Sequence, residues 1–162
     1  GSLASAIVTV RNRIDAHDFP TGSTFLRQVW VELVVTADGV PVYETGTLDA
    51  NGDLRDHWSL LDPYGDPDLL TLSSTLIDAS GEPTLFSWRA MEHAWRSLSP
   101  GYSRTWTLFV PVPAGTRELR AEARLRFRPL PPHLLHLLGL PDEAASQRVY
   151  DVDKATWAAG FP

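Results

Sequence analysis

A histidine held between two carboxylates opens the most chemically suggestive stretch of the chain, Asp15-Ala16-His17-Asp18-Phe19-Pro20-Thr21-Gly22. An imidazole with one ring nitrogen oriented by a neighbouring acceptor presents the other as a free lone pair. A metal ion or a haem iron takes that kind of nitrogen as an axial ligand. The same histidine can instead bond backbone carbonyls and staple the turn that Pro20 and Gly22 impose. The residues alone leave both roles open. His57 would pair with His17 and Asp18 around a divalent metal if the fold brought them together. The segment Asp49-Ala50-Asn51-Gly52-Asp53-Leu54-Arg55-Asp56-His57 places oxygen donors around a glycine bend, which adds Asp49 and Asp53 to the candidate cation ligands. It lacks the full D-x-D-x-D-G order and the closing glutamate of a calcium loop, and Asx turns account for its composition equally well.

Catalysis has less to stand on, and the expectation is that the chain has no independent catalytic activity. Carboxylate pairs such as Asp53 and Asp56 are what any acidic loop supplies. Ser73 and Ser74 lack a nucleophile-elbow context, and there is neither a phosphate-cradling glycine loop nor an H-E-x-x-H pair. His133 and His136, three residues apart among leucines, read as the polar outer face of an amphipathic turn. Of the six tryptophans, Trp30 and Trp58 are the ones expected at the surface. There they would stack on a sugar ring or, with Phe19 and Arg27, form a contact with a neighbouring domain.

These residues must be positioned by strands. Residues 7–14 alternate, and residues 25–36 put Val29, Val31, Leu33 and Val35 on one face and Trp30, Glu32 and Val34 on the other. Asp38-Gly39 predicts a tight hairpin turn into a strand over 40–48. Residues 49–70 read as loop, 71–77 as strand, and 104–112 as strand. The cleanest alternation is Arg117 to Arg128, with Leu119, Ala121, Ala123, Leu125 and Phe127 facing a core and a row of Glu and Arg facing water. Pro131-Pro132 predicts a short helix over 133–138, and a second helix is expected after Asp153, ending at Gly160. Short strands with turns between them make the fold class all-β, an immunoglobulin-like antiparallel β-sandwich with a short helical C-terminal tail. A jelly roll or small barrel is the alternative. Residues 1–6 read as a cloning remnant (Gly1-Ser2) and the end of a leader, 7–130 as the sandwich, and 131–162 as the helical tail packed on it.

Composition narrows the function classes. The 162 residues are 43% hydrophobic and 21% charged, which is a globular balance. A net charge of −6 speaks against nucleic acid as partner, and no apolar run approaches the length of a bilayer crossing. Zero cysteines exclude disulfides, thiolate chemistry, iron–sulfur ligation and covalent haem attachment through C-x-x-C-H in this segment. The charge is uneven. Nine acids face one base between Asp38 and Asp78, and six arginines face two glutamates between Gly101 and Leu130. Either two solvated faces or a docking surface for a charged partner would read this way.

The run His17-Asp18-Phe19-Pro20-Thr21-Gly22, followed by Arg27-Gln28-Val29-Trp30, resembles the H-x-FPTG … R-x-x-W signature of the C-terminal β-domains of multihaem c-type cytochromes. Tyr43 to Asp49, Ser97 to Arg104 and Ala123 to Pro129 resemble later segments of the same domains, so the likeness spans roughly residues 8–140. The family's C-x-x-C-H region has no counterpart here. The resemblance implies an accessory β-domain that packs against a haem-carrying domain of the same parent chain or a cytochrome subunit. It also implies haem c in that parent protein, His17 as a candidate axial ligand, and a periplasmic or extracellular bacterial setting. The expectation that competes with it is a free-standing binding module for a divalent metal or a glycan.

Overall fold

The structure, a computed structural model, describes residues 1–161. It is an antiparallel all-β protein with sandwich-like layers. In chain order the strands are β1 (Ser2–Arg11), β2 (Gln28–Ala37), β3 (Val40–Thr45), β4 (Leu70–Thr71), β5 (Thr75–Asp78), β6 (Pro83–Thr84), β7 (Ala90–Ala94), β8 (Ser103–Val112), β9 (Glu118–Arg128) and β10 (Tyr150–Gly160). Two short helices, α1 (Pro132–Leu137) and α2 (Pro141–Ala145), lie between β9 and β10. The larger sheet has the order β10-β9-β2-β3, with β4 paired to β2; β1 and β8 form a second layer, and β6-β5-β7 a third, smaller sheet.

The alternation of β2 and β9 decides how the first two layers meet. Val31, Leu33, Val35 and Ala37 of β2 and Leu119 of β9 are buried against Leu108 and Val110 of β8. Ala4, Ala6, Val8 and Val10 of β1 pack onto the same cluster. Each fully buried Val or Leu contributes roughly 1.5–3 kcal/mol of apolar burial, so this interface dominates the fold. Val29, Leu72 and Leu98 form a second core beside it, joined by Phe19 and Phe127. The other face of β9 carries the expected charged row, and the charges are paired: Arg120 with Glu118, Arg124 with Glu122, and Arg126 with both Glu32 and Asp151.

The Asp38-Gly39 hairpin forms as expected. Both residues have positive φ, 49° and 83°, the backbone that a two-residue turn between twisted strands requires. The Asp38 carboxylate also accepts the backbone N–H groups of Arg117 and Glu118, pinning the tip to the start of β9.

Three expectations are corrected. The first is the helix after Asp153, which is strand β10, paired with β9 from Tyr150 to Gly160. Val152, Thr156 and Trp157 are better strand than helix formers, and the open edge of β9 supplies the backbone partners that settle the choice. The C-terminal tail is therefore helical only over α1 and α2, and its expected last residue, Pro162, lies outside the described residues. Second, Ser2 to Ala6 are not separate from the domain but form the first half of β1, paired with β8 in unbroken register. Third, the strand expected over 71–77 is two, β4 and β5, because Leu72 turns into the second core while Ser74 bonds back to Thr24.

Gly46, at the end of β3, tests the packing. Its φ is +72°, and a Cβ there would lie 2.2 Å from the Val31 carbonyl oxygen, a rigid backbone atom. Gly81, at φ +84°, has open space around it. Gly46→Ala is expected to cost more than about 3 kcal/mol, whereas Gly81→Ala costs only the roughly 1–2 kcal/mol of left-handed backbone. Urea unfolding of the two variants measures the difference.

Candidate functional site

The turn that carries His17 is built on a buried asparagine. The Asn12 side chain donates to the carbonyls of His17 (3.0 Å) and Leu98 (2.8 Å) and accepts the Ile14 N–H (2.9 Å). Phe19 and Leu98 exchange backbone hydrogen bonds of 2.9 and 2.8 Å, which ties the turn to the strap before β8. Arg27 closes the far side, donating from Nη1 to the Thr21 carbonyl at 2.7 Å. Gly22 sits at φ +77° directly under that guanidinium.

On this scaffold His17 is exposed, and its Nδ1 lies 2.8 Å from the Asp18 carbonyl oxygen. A carbonyl can only accept, so Nδ1 carries the proton and Nε2 of the neutral ring keeps its lone pair. One ring nitrogen is bonded to the turn's own backbone, and the other keeps its lone pair on an exposed side chain. The carboxylates of Asp15 and Asp18 make no hydrogen bond to the ring.

The second part of the site is the acidic loop between β3 and β4, folded back over Trp30. Asp66 holds its entry, accepting from the Thr45 hydroxyl (2.9 Å) and the Gly46 N–H (2.6 Å). Trp30 Nε1 donates to the Gly46 carbonyl at 2.9 Å. Trp30 is 0% exposed, so the surface platform expected of it does not exist. The loop and the Arg128 side chain, whose guanidinium lies 5.6 Å from the ring centre, cover the face that strand alternation leaves outward. Arg128 bonds the Gln28 side chain and the Gly52 carbonyl, and burial pulls its pKa down to about 10 while Asp53, Asp56 and Asp49 oppose the fall.

Asp49 and Asp53 act inside this loop as backbone anchors. Asp49 accepts the N–H groups of Asn51 and Asp53 and the Ser59 hydroxyl. Asp53, buried, accepts the His133 N–H at 3.1 Å. Among the described residues no three His, Asp or Glu side chains converge to hold a metal ion. The set His17, Asp18, His57, Asp49 and Asp53 is therefore not gathered into a metal centre: two of its acids are spent on the loop's own turns.

Trp58 is half-buried. It stacks on His133 at 5.1 Å and 12° and touches His57 at 4.7 Å. Together with Arg27, Tyr64 and Arg96 these three side chains line a pocket of about 360 Å³. His133 corrects the sequence reading, since its side chain is only 8% exposed and packs inward, 3.5 Å from the Asp53 carboxylate. The leucine-rich surroundings of His133 and His136 gave no sign of which one turns in. Arg128 was also hidden, as the last member of an arginine row that looked uniformly solvated. Arg27 joins the two parts of the site, bonding the His17 turn on one side and lining the Trp58 pocket on the other. Phe19, Arg27 and Trp58 thus belong to one connected region, while Trp30 is buried under the loop and Arg128.

Comparison with known proteins adds a fold likeness. The chain is similar to the crystal structure of a penta-haem cytochrome c552 from Thermochromatium tepidum, with a TM-score of 0.64 at 19% sequence identity. The likeness covers 96% of this chain and 36% of that one, so this chain spans about a third of the cytochrome's length. No family model and no curated protein matches the chain.

Desolvation holds the His57 imidazole below its ordinary value of 6.5, and burial raises the neighbouring Asp56 carboxyl. Between the lowered His57 value and 6.5 the unfolded chain binds more protons than the folded one. The His57 contribution to stability is therefore complete above 6.5 and is lost as pH falls through that window. Asp56 acts with the opposite sign, because its folded form keeps the proton longer. His57→Asn is expected to flatten the decline in stability as pH falls below 6.5, and denaturant midpoints measured on either side of that value check it.

Proposed function

We propose that this chain is a non-catalytic β-sandwich accessory domain of a multihaem cytochrome-like electron-transfer protein, packing against its haem-carrying module. The observation that carries the reading is the fold likeness to part of a penta-haem cytochrome over 96% of the chain. The site supports it. The connected region of Phe19, Arg27 and Trp58 offers aromatic area and a guanidinium on turns tied down by Asn12 and Asp53, the composition and rigidity of a contact surface. The partner is a haem domain of the same parent chain or a cytochrome subunit, in a periplasmic or extracellular bacterial setting.

The residues fit haem in one respect only. With no cysteine the chain cannot attach haem c covalently, but His17 has the donor set of an axial ligand, with Nδ1 oriented by the Asp18 carbonyl and Nε2 free. Haem held by the neighbouring module supplies electron transfer. This chain would hold the ring in place and shield one side of it.

The test begins with the native polypeptide purified from its source, its intact mass measured before and after haem extraction. Non-extractable haem on the same chain, or on a protein that stays bound to it, is the expected result. A native chain free of haem and of any haem-protein partner would overturn the reading. In the haem-bearing protein, His17→Ala should then change the spectrum and midpoint potential of one haem, whereas His136→Ala changes neither. Unaltered spectra and potentials in His17→Ala would reduce His17 to a turn staple while leaving the docking role standing.

A further inference from the structure

The two main layers of the sandwich do not match in width. Two strands, β8 and β1, lie over a sheet whose path is four strands wide, β3-β2-β9-β10. Leu119, Ala121, Ala123 and Leu125 of β9 pack into the shared core. Beyond them β10 presents side chains on the same inner side, because Trp157 pairs with Ala121, Ala155 with Ala123 and Ala159 with Leu119. Among the described residues no strand lies over these positions, and Trp157 is 55% exposed. What remains is an apolar cleft of about 760 Å³, walled by β1 on one side and by β9 and β10 on the other.

The edge of β1 runs the length of this cleft. Its register with β8 is unbroken over ten residues, so its outward N–H and C=O groups form a regular row with no partner strand. Edge strands are normally blunted by charge, proline or a bulge. The edge of β10 has two of these devices, the charges Asp151, Asp153 and Lys154 and a bulge between Asp151 and Asp153. By contrast β1 has no proline and no bulge, and its single charged residue is Arg11 at its end. One edge is protected and the other is left open beside an apolar trough.

We propose that this cleft is the seat of an added β-strand, an extended segment of a partner polypeptide with apolar residues at alternate positions, hydrogen-bonded to the free edge of β1. Strand addition satisfies the backbone row on β1 and places every second side chain over Ala155, Trp157 and Ala159, which completes the short layer. A helix would fill the trough but has no spare backbone donors or acceptors for β1. A second copy is a poorer occupant, because pairing two β1 edges would bring the wider sheets of both copies, β10-β9-β2-β3, into the same space. The inference rests on the sheet edges alone and does not depend on the reading of function above.

The test uses the full chain and a synthetic probe, an acetylated decapeptide of alternating threonine and valine ending in two lysines. The expected result is saturable binding, with hydrogen exchange slowed at the cleft-facing amides of β1. The same peptide N-methylated at alternate residues keeps its side chains but loses one hydrogen-bonding edge, and should bind at least about tenfold more weakly. Ala155→Asp, at an exposed position, should weaken the unmodified peptide by a similar factor without lowering the melting temperature. No binding at about millimolar peptide, equal binding of both peptides, or protection confined to strands other than β1 would each overturn the proposal. Sedimentation showing that the chain dimerises through β1 would overturn it in favour of a second copy.

Discussion

Strand β2 has to be covered on both faces, and most of the structure follows from how that is done. Its inward side meets the β1–β8 layer in the ordinary way of a sandwich. Its outward side carries Trp30, too large and apolar to leave in water. The chain answers with a loop. Gly46 passes close enough to the Val31 carbonyl to turn the backbone over β2, its carbonyl receives the indole N–H, and Asp66 clamps the entry. Arg128 then lies over the ring from β9.

A buried guanidinium is costly unless its donors and its charge are met. Gln28 and the Gly52 carbonyl meet the donors, and the carboxylates of Asp49, Asp53 and Asp56 oppose the loss of its charge. This gives the acidic segment a structural meaning. Its carboxylates are turn anchors and counter-charges for Arg128, and the same folding brings Trp58, His57 and His133 together at the surface beside Arg27.

The His17 turn and the Trp58 pocket are rigid because their backbones are held from inside by Asn12 and Asp53. On the far side the sandwich is left incomplete, with one protected edge and one open one. The fold is like that of part of a larger cytochrome, of which this chain spans about a third.

Local patterning carried much of the architecture. The alternation in β2, β8 and β9, the Asp38-Gly39 hairpin and the proline-led helix α1 were all legible, because each depends on neighbouring residues and on a period of two or on turn chemistry. The His17 turn was legible too, since Pro20 and Gly22 mark it locally. Hidden from the sequence was everything that depended on which surface another segment would cover. Trp30 and Arg128 sit at outward positions and are buried by a loop whose landing place no pattern announces. His133 turns inward and His136 outward because Asp53 and Trp58, some 75 to 80 residues earlier, lie on one side of the helix. The tail became a strand because β9 had an edge to fill, a backbone demand that local propensity does not record. Period and turn chemistry are written in single segments; burial of a charge, closure of an edge and the meeting of distant side chains belong to the assembled fold.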